Sequence, residues 1–270
     1  MLKIAIVGAT GIVGQQAIVS LIGHPWFKIE KLVASERSAG KKYIDALKDP
    51  NGSSRWWCTE ELPPDIANMS VEEAASFDAT SVDIIFSTMD AGAAKELEPK
   101  YAKTTPVIST ASAFRYEDDT PILVGGVNMD HAPLLAVQQK NRGWKGFVSP
   151  KPNCTIAGLV VSLKPLQDAF GVKQVVMVSQ QAMSGAGRTP GLSAMDMTEN
   201  IVPYIPGEEP KVESEPQKIL GKFTGKTIQN AAFGISATCT RVPVLDGHMV
   251  CAFVQTEKKC SPEDVKKAMA

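Results

Sequence analysis

The sequence lacks the features that announce several large classes of protein. No apolar run approaches the roughly 18 residues of a membrane span. Lysine and arginine number 28 against 29 aspartates and glutamates, a net charge of −1, so the basic face that nucleic-acid binding requires is missing. Five cysteines, Cys58, Cys154, Cys239, Cys251 and Cys260, are odd in number and widely spaced, with no C-x-x-C pair. That pattern argues against a disulfide framework or a zinc site and fits free thiols in a reducing compartment. Met1 to Val7 runs straight into a glycine turn without the basic and apolar segments of a signal peptide, so a cytoplasmic protein is expected. There are only three histidines, His24, His131 and His248, which keeps the list short for any mechanism that needs an imidazole. What is present, 44% hydrophobic and 21% charged residues over 270, suffices for two lobes or one large α/β domain.

The stretch Pro152-Asn153-Cys154-Thr155 organises the chain. Thr155 to Leu166 is apolar and compatible with a helix, and Pro150 and Pro152 bar an earlier start, which places the Cys154 thiol at a helix N-terminus. There the helix-end charge and the free N–H groups favour a nucleophilic thiolate. The competing reading is a small buried hydrophobe, a frequent fate of free cysteine.

Leu2 to Val7 reads as a buried strand, followed by Gly8-Ala9-Thr10-Gly11-Ile12-Val13-Gly14 and a helical run to about Leu21. Strand, glycine turn and helix open a dinucleotide-binding βαβ unit, although the spacing G-x-x-G-x-x-G departs from G-x-G-x-x-G. The second strand, Lys28 to Val33, ends in Ala34-Ser35-Glu36-Arg37-Ser38. Ser35, Arg37 and Ser38 suit the 2′-phosphate of NADP, with Glu36 expected to point to solvent; the alternative is a polar surface loop. Trp56-Trp57 are expected to cover the sheet edge. Further strands at Val82–Phe86 and Pro106–Ser109, with a helix over Ala91 to Ala102 between them, imply a doubly wound, mainly parallel sheet. Arg115, just past the second of these, lies on the ligand-binding side of such a sheet.

Beyond Cys154, a strand over Lys173 to Gln181 leads into a donor-rich loop, Gln181-Ala182-Met183-Ser184-Gly185-Ala186-Gly187-Arg188. Glu208-Glu209-Pro210-Lys211 reads as the start of a solvated helix face. Asp246-Gly247 predicts a two-residue hairpin turn, with Leu245 opposite His248. Arg241 and His248 then project from one face with about 13 Å of strand between them, positioned for a small anion. Pro243 marks that strand as an edge. An exposed arginine with a structural histidine is the other reading.

G-A-T-G-I-V-G, A-S-E-R-S-A-G-K, P-N-C-T, Q-A-M-S-G and R-V-P-V-x-x-G-H, in this order along the whole chain, resemble aspartate-β-semialdehyde dehydrogenase of the archaeal and fungal branch. The resemblance implies an N-terminal Rossmann-type NADP-binding domain over residues 1–150 and an α+β catalytic and dimerisation domain over 151–270, in a homodimer or homotetramer. The implied reaction is the phosphate-dependent interconversion of L-aspartate 4-semialdehyde and L-4-aspartyl phosphate, in the biosynthesis of lysine, threonine, methionine and isoleucine. It makes Cys154 the thioacyl-forming nucleophile, His248 the general acid/base and Gln181 the residue that orients substrate. Arg241 is implied to clamp the substrate carboxylate, Glu208 its amine, and Arg115 with Lys211 the phosphate. Thr10, Gly11, Ile12, Val13, Ser35, Arg37 and Ser38 are implied to line the NADP site, with Ser184 and Gly185 near the nicotinamide. Members of the family usually continue well past the point where this chain stops and return to the cofactor lobe, so weakened cofactor binding is expected of the chain as given. A malonyl-CoA reductase of the same branch and a non-catalytic NADP-binding module are the alternatives. N-acetyl-glutamyl-phosphate reductase fits less well, because its motif has G-C-Y where this chain has N-C-T.

Overall fold

The computed structural model describes residues 1–187 and 194–270. Arg188, which closes the donor-rich loop, lies outside the described residues. The chain divides into two units, Met1–Thr120 with Leu135–Lys151, and Pro121–Leu134 with Pro152–Ala270.

The first unit holds β1 (Leu2–Val7), α1 (Ile12–Leu21), β2 (Phe27–Ala34), α2 (Tyr43–Ala46), α3 (Pro64–Ala67), β3 (Val71–Glu73), β4 (Ile84–Ser87), α4 (Ala91–Ala102), β5 (Val107–Ser109), all but the first residue of α5 (Leu134–Arg142), and β6 (Val148–Pro150). The six strands form one parallel sheet in the order β3-β2-β1-β4-β5-β6, the doubly wound arrangement expected from alternating strands and helices. The order reverses beside β1, and there the glycine turn leaves the sheet. Two of its glycines are required by space. Gly8 sits at φ +84°, and a Cβ on it would stand 2.7 Å from Thr88 Oγ1; a Cβ on Gly14 would stand 2.4 Å from the Gly8 carbonyl oxygen. Buried Gln15 ties the turn to the tryptophan segment, donating to the carbonyls of Thr10 (3.1 Å) and Arg55 (2.9 Å) and accepting from the Trp57 N–H (2.8 Å). Trp56 packs against the core beside β2 and β3, in keeping with an edge cover.

The second unit holds α6 (Cys154–Phe170), β7 (Val172–Gln181), α7 (Ala194–Met197), α8 (Glu209–Ile219), the short pair β8 (Lys222–Phe223) and β9 (Ile228–Gln229), then β10 (Gly234–Arg241), β11 (Met249–Thr256) and α9 (Pro262–Met269). Helix α6 buries Ile156, Leu159, Val160, Leu163 and Leu166, an i, i+3, i+4 stripe, against Val175 and Met177 of β7 and Val212 of α8. Gly171 ends the helix at φ +70°.

The sheet of this unit corrects one expectation. Its order is β10-β7-β11, with β10 parallel and β11 antiparallel to β7. No hairpin joins β10 to β11, because β7 lies between them, and residues 242–248 are a connection past its end. Pro243 has no N–H to continue β10, and Gly247 at φ +88° serves a bend in that connection. Leu245 does not face His248 across a turn; its carbonyl accepts from the Ser184 N–H at 3.0 Å. Glu208 corrects a second expectation. It is 6% exposed, a buried carboxylate where the start of a solvated face was expected, and Glu215 further along α8 is 1% exposed.

Candidate active site

Local sequence fixes where the thiol stands. Asn153, at φ −55° and ψ 148°, caps α6 by accepting the Thr155 N–H on Oδ1 at 2.9 Å, which makes Cys154 the first helical residue. Cys154 is exposed, not a buried hydrophobe. Its Sγ lies 3.1 Å from Nε2 of His248, the residue just before β11.

A polar cluster surrounds this pair within the second unit. Glu208 Oε1 accepts from Asn153 Nδ2 at 2.7 Å and from Gln181 Nε2 at 3.2 Å, and Oε2 accepts from Lys211 Nζ at 3.3 Å. Burial pushes the Glu208 carboxyl upward, but the donors Asn153 and Gln181 and the Lys211 charge outweigh it, holding the group below the ordinary carboxylate range. Arg241 is 5% exposed; its Nη1 donates to the Ala182 carbonyl at 2.8 Å, and its Nε has no partner among the described residues. A buried guanidinium with an unused donor is equipped to receive a carboxylate. Burial, then repulsion by Arg241, pushes His248 below the ordinary histidine value, against a smaller opposing pull from Glu208. Gly185 closes the cluster, since a Cβ there would stand 2.8 Å from Arg241 Nη1 and 2.9 Å from His248 Cε1. Arg241 and His248 thus converge on one point, nearer than the strand spacing suggested. Ser184 is exposed beside it.

Sequence reasoning missed three participants. Asn153 was legible as a capping residue directly before the thiol. Glu215, which accepts the Asn153 N–H at 2.9 Å, follows Glu208 by seven residues, two helical turns on the same face. Ala182, whose N–H donates to His248 Nδ1 at 3.0 Å, carries no side-chain signal.

The cofactor-type site belongs to the first unit. A cavity of 490 Å³ at the C-terminal ends of β1, β2 and β4 is lined by Gly8, Thr10, Gly11, Ser35, Glu36 and Asp90, among others. Glu36, expected to face only solvent, is exposed and also forms part of this wall. Ile12 and Val13 begin α1 beyond the lining, Arg37 is exposed on the turn after Ser35, and Ser38 is buried with its N–H on the Ser35 carbonyl at 2.9 Å. Glycines that no Cβ can replace, beside a cavity at the switch point of the sheet, fit a dinucleotide. Arg115, 5% exposed, also lies in the first unit and donates from Nη2 to the Thr110 carbonyl at 3.1 Å. Among the described residues no group of acidic, histidine and cysteine side chains is arranged to hold a metal, and no helix is long and apolar enough to cross a membrane.

Residues 3–134 match the family model for the semialdehyde dehydrogenase NAD binding domain, and residues 163–270 match that for the semialdehyde dehydrogenase dimerisation domain. An aspartate-semialdehyde dehydrogenase of Archaeoglobus fulgidus is 44% identical, over 98% of this chain and 75% of the relative. The chain belongs to the aspartate-semialdehyde dehydrogenase family. It is an enzyme, and its activity is the one that names the family. The crystal structure of the Candida albicans enzyme with NADP matches with a TM-score of 0.86 at 38% identity, covering 99% of this chain and 75% of that one. Aspartate semialdehyde dehydrogenase II of Vibrio cholerae, complexed with ASA, matches with a TM-score of 0.77 at 26% identity, over 99% and 78%. The resemblance read from the motifs is borne out.

Proposed function

We propose that Cys154 is the nucleophile in a phosphate-dependent interconversion of L-aspartate 4-semialdehyde and L-4-aspartyl phosphate. The observation that carries this reading is the exposed Cys154 thiol at the start of α6, 3.1 Å from His248 Nε2. The thiolate adds to the aldehyde carbon, and the carbonyl pair moves to oxygen beside the His248 ring, which manages the proton there. NADP, when bound, takes the hydride that leaves the tetrahedral carbon. Attack of phosphate on the resulting Cys154 thioester breaks the C–S bond, forms the acyl phosphate and returns the thiolate.

Arg241 receives the substrate α-carboxylate through its buried donors, Glu208 holds the amine, and Gln181, fixed by Glu208, orients the carbonyl. Lys211 receives phosphate; for Arg115 the same role rests on the family pattern alone. Thr10 to Val13 with Ser35, Arg37 and Ser38 would hold NADP, with Ser184 and Gly185 toward the nicotinamide, and residues 1–150 and 151–270 would act as cofactor and catalytic domains. Supporting a homodimer or homotetramer is an exposed apolar row in which Val176 and Val178 of β7 stand opposite Phe253 and Cys251 of β11. A cytoplasmic setting follows from the free thiols.

The test is absorbance growth from NADP reduction with L-aspartate 4-semialdehyde, with and without phosphate, in the wild type and in Cys154→Ser. Growth that requires both phosphate and Cys154 is the expected result. Growth without phosphate would overturn the acyl-phosphate step. Absence of growth together with no mass adduct on Cys154 would overturn the nucleophile.

A further inference from the structure

Residues 111–120, which carry Arg115, form a run of bends and turns after β5. The backbone there is held by turn bonds: the Arg115 N–H donates to the Ser112 carbonyl at 3.2 Å, that of Glu117 to Phe114 at 3.3 Å and that of Thr120 to Glu117 at 3.2 Å. Firmer support comes from α5. Arg142, its last residue, grips the segment on both sides of Arg115. Ahead of Arg115, the Arg142 Cζ lies over the Phe114 ring, 5.7 Å from the centroid, and over Trp144 at 5.1 Å. Behind it, Nε and Nη2 of Arg142 donate to the two oxygens of Asp119 at 2.8 and 2.6 Å, and Nη2 also donates to Glu117 Oε2 at 3.2 Å. One helical turn earlier, buried Gln138 donates to Thr120 Oγ1 at 2.7 Å and to the Val148 carbonyl at 3.1 Å, which ties the end of the segment to β6.

We propose that Arg142, clamped to Asp119, is a positioning residue that holds Arg115 in place to receive phosphate. The inference deepens the proposed function and rests on the phosphate role given there to Arg115. A surface ion pair contributes little, but this one is bidentate, has aromatic rings on its guanidinium and leaves the Arg142 and Asp119 side chains only 22% and 13% exposed. Burial raises the Asp119 carboxyl, yet the hydrogen bonds and charge of Arg142 outweigh it and hold the group below the ordinary carboxylate range, so the clamp stays charged at neutral pH. Arg142 is not itself placed to draw the anion, because its one positive charge already faces the carboxylates of Glu117 and Asp119.

Arg115 depends on this support for its aim. It is 5% exposed, and its Nη2 donates to the Thr110 carbonyl at 3.1 Å, so the direction of its guanidinium follows the backbone of residues 110–115. An arginine already held in its binding conformation has less side-chain freedom to lose when an anion arrives. A segment released from α5 would lose that order and carry the guanidinium with it. Addition of the thiol to the aldehyde and the departure of hydride need no phosphate, so the consequence of release is confined to the step in which phosphate attacks the thioester. Lysine could not replace Arg142, since an ammonium neither spans both oxygens of Asp119 nor lies flat on an aromatic ring.

The experiment follows NADP reduction with L-aspartate 4-semialdehyde as phosphate is varied, in the wild type, Arg115→Ala, Arg142→Ala and the double variant of the full chain. Arg142→Ala is expected to raise KM for phosphate at least about tenfold, with KM for the aldehyde and for NADP within about twofold of wild type. The double variant is expected to be no worse than Arg115→Ala, because a positioning residue then has nothing left to position. Equal rises in all three KM values, a lowered melting temperature with KM for phosphate unchanged, or effects of the two substitutions that multiply would each overturn the inference and leave the phosphate role of Arg115 standing. A wild-type KM for phosphate in Arg115→Ala would sink that role, and the inference with it. Binding is read without turnover by titrating inorganic phosphate into the ¹⁵N-arginine-labelled chain and following the Arg115 Nε–H signal, assigned by its loss in Arg115→Ala. Arg142→Ala is expected to raise the half-saturating phosphate concentration at least about tenfold, and an unchanged value would overturn the inference. Should Arg142→Ala fail to fold, Asp119→Asn, which keeps the size and removes the charge, takes its place in both measurements; a rise of at least about threefold is expected, and a smaller one overturns the inference.

Discussion

Asn153 does three things at once, and removing its side chain separates them. Oδ1 accepts the Thr155 N–H at 2.9 Å, Nδ2 donates to Glu208 Oε1 at 2.7 Å, and the backbone N–H goes to Glu215 Oε2 at 2.9 Å. Asn153→Ala keeps only the last. The lost cap costs about 1 kcal/mol, and the lost hydrogen bond to a buried carboxylate costs about 1.5–3 kcal/mol. Together they come to roughly 3 kcal/mol, which lowers the melting temperature by about 6–12 °C for a chain of this size. Asn153→Asp keeps a good capping oxygen but sets a second carboxylate against Glu208. At pH 8 it is expected to melt below the alanine variant. At pH 5, where the crowded pair takes up a proton that bridges the two groups, the order is expected to close or reverse. Scanning calorimetry of the three proteins at both pH values is the assay. A shift of less than about 2 °C in Asn153→Ala, or an aspartate variant as stable as the alanine one at pH 8, would refute the claim that Asn153 holds both the helix start and Glu208.

Gly14→Ala forces a Cβ to 2.4 Å from the Gly8 carbonyl and 2.8 Å from Ala9 Cα, both backbone atoms. It is expected to cost more than about 2 kcal/mol and to abolish the thermal shift given by NADP; an unchanged melting temperature would contradict the close approach. Gly185→Ala pushes on Arg241 and His248, so kcat/KM is expected to fall at least about tenfold, or 1.4 kcal/mol, while the melting temperature hardly moves, because Gly185 is exposed. Glu98 of α4 is fully buried, with Ser109 Oγ donating to it at 2.6 Å, and burial holds its carboxyl above the ordinary range. Because the folded value is raised, its contribution is complete below the unfolded value and is lost as pH rises through the folded one. The urea midpoint of wild type relative to Glu98→Gln should therefore fall as pH rises, and a flat difference would show that the carboxyl is not protonated in the fold.

How far the sequence could be read depended on whether a signal was local. Strand β1, the glycine turn and α1 are contiguous, and the helix at Cys154 is marked by Asn153 before it and by an apolar stripe within it, so each was legible. The hairpin misreading came from giving Asp246-Gly247 more weight than the long-range pairing deserved. A two-residue turn is a local preference, whereas the place of β7 between β10 and β11 depends on α8, which lies between β7 and β10 and lets those strands run parallel. Strand, helix, strand was present over residues 172–241 and outweighs a dipeptide. The burial of Glu208, and of Glu215 which sequence reasoning missed, has a related cause. Charge in a helix signals solvent only when no donor is waiting, and the donors here come from the Asn153 side chain, Gln181 and the Asn153 N–H, more than 25 residues away in the chain.

The same strand explains why the site and the outer apolar face belong together. From Val175 onward β7 alternates strictly: Val175, Met177, Ser179 and Gln181 point into the unit, while Val176 and Val178 stay 45% and 42% exposed. A strand has a period of two, so a slip of one residue would put Val176 and Val178 inside and turn Gln181 away from Glu208. It would also carry the Ala182 N–H off the His248 ring. The pairing of Val176 with Phe253 and of Val178 with Cys251 on the outer face is set by the same register that aims Gln181 and Ala182 inward. Any second copy that packs on that face therefore stabilises the register on which the histidine depends, and a polar substitution at Val176 is expected to weaken self-association first and catalysis through it.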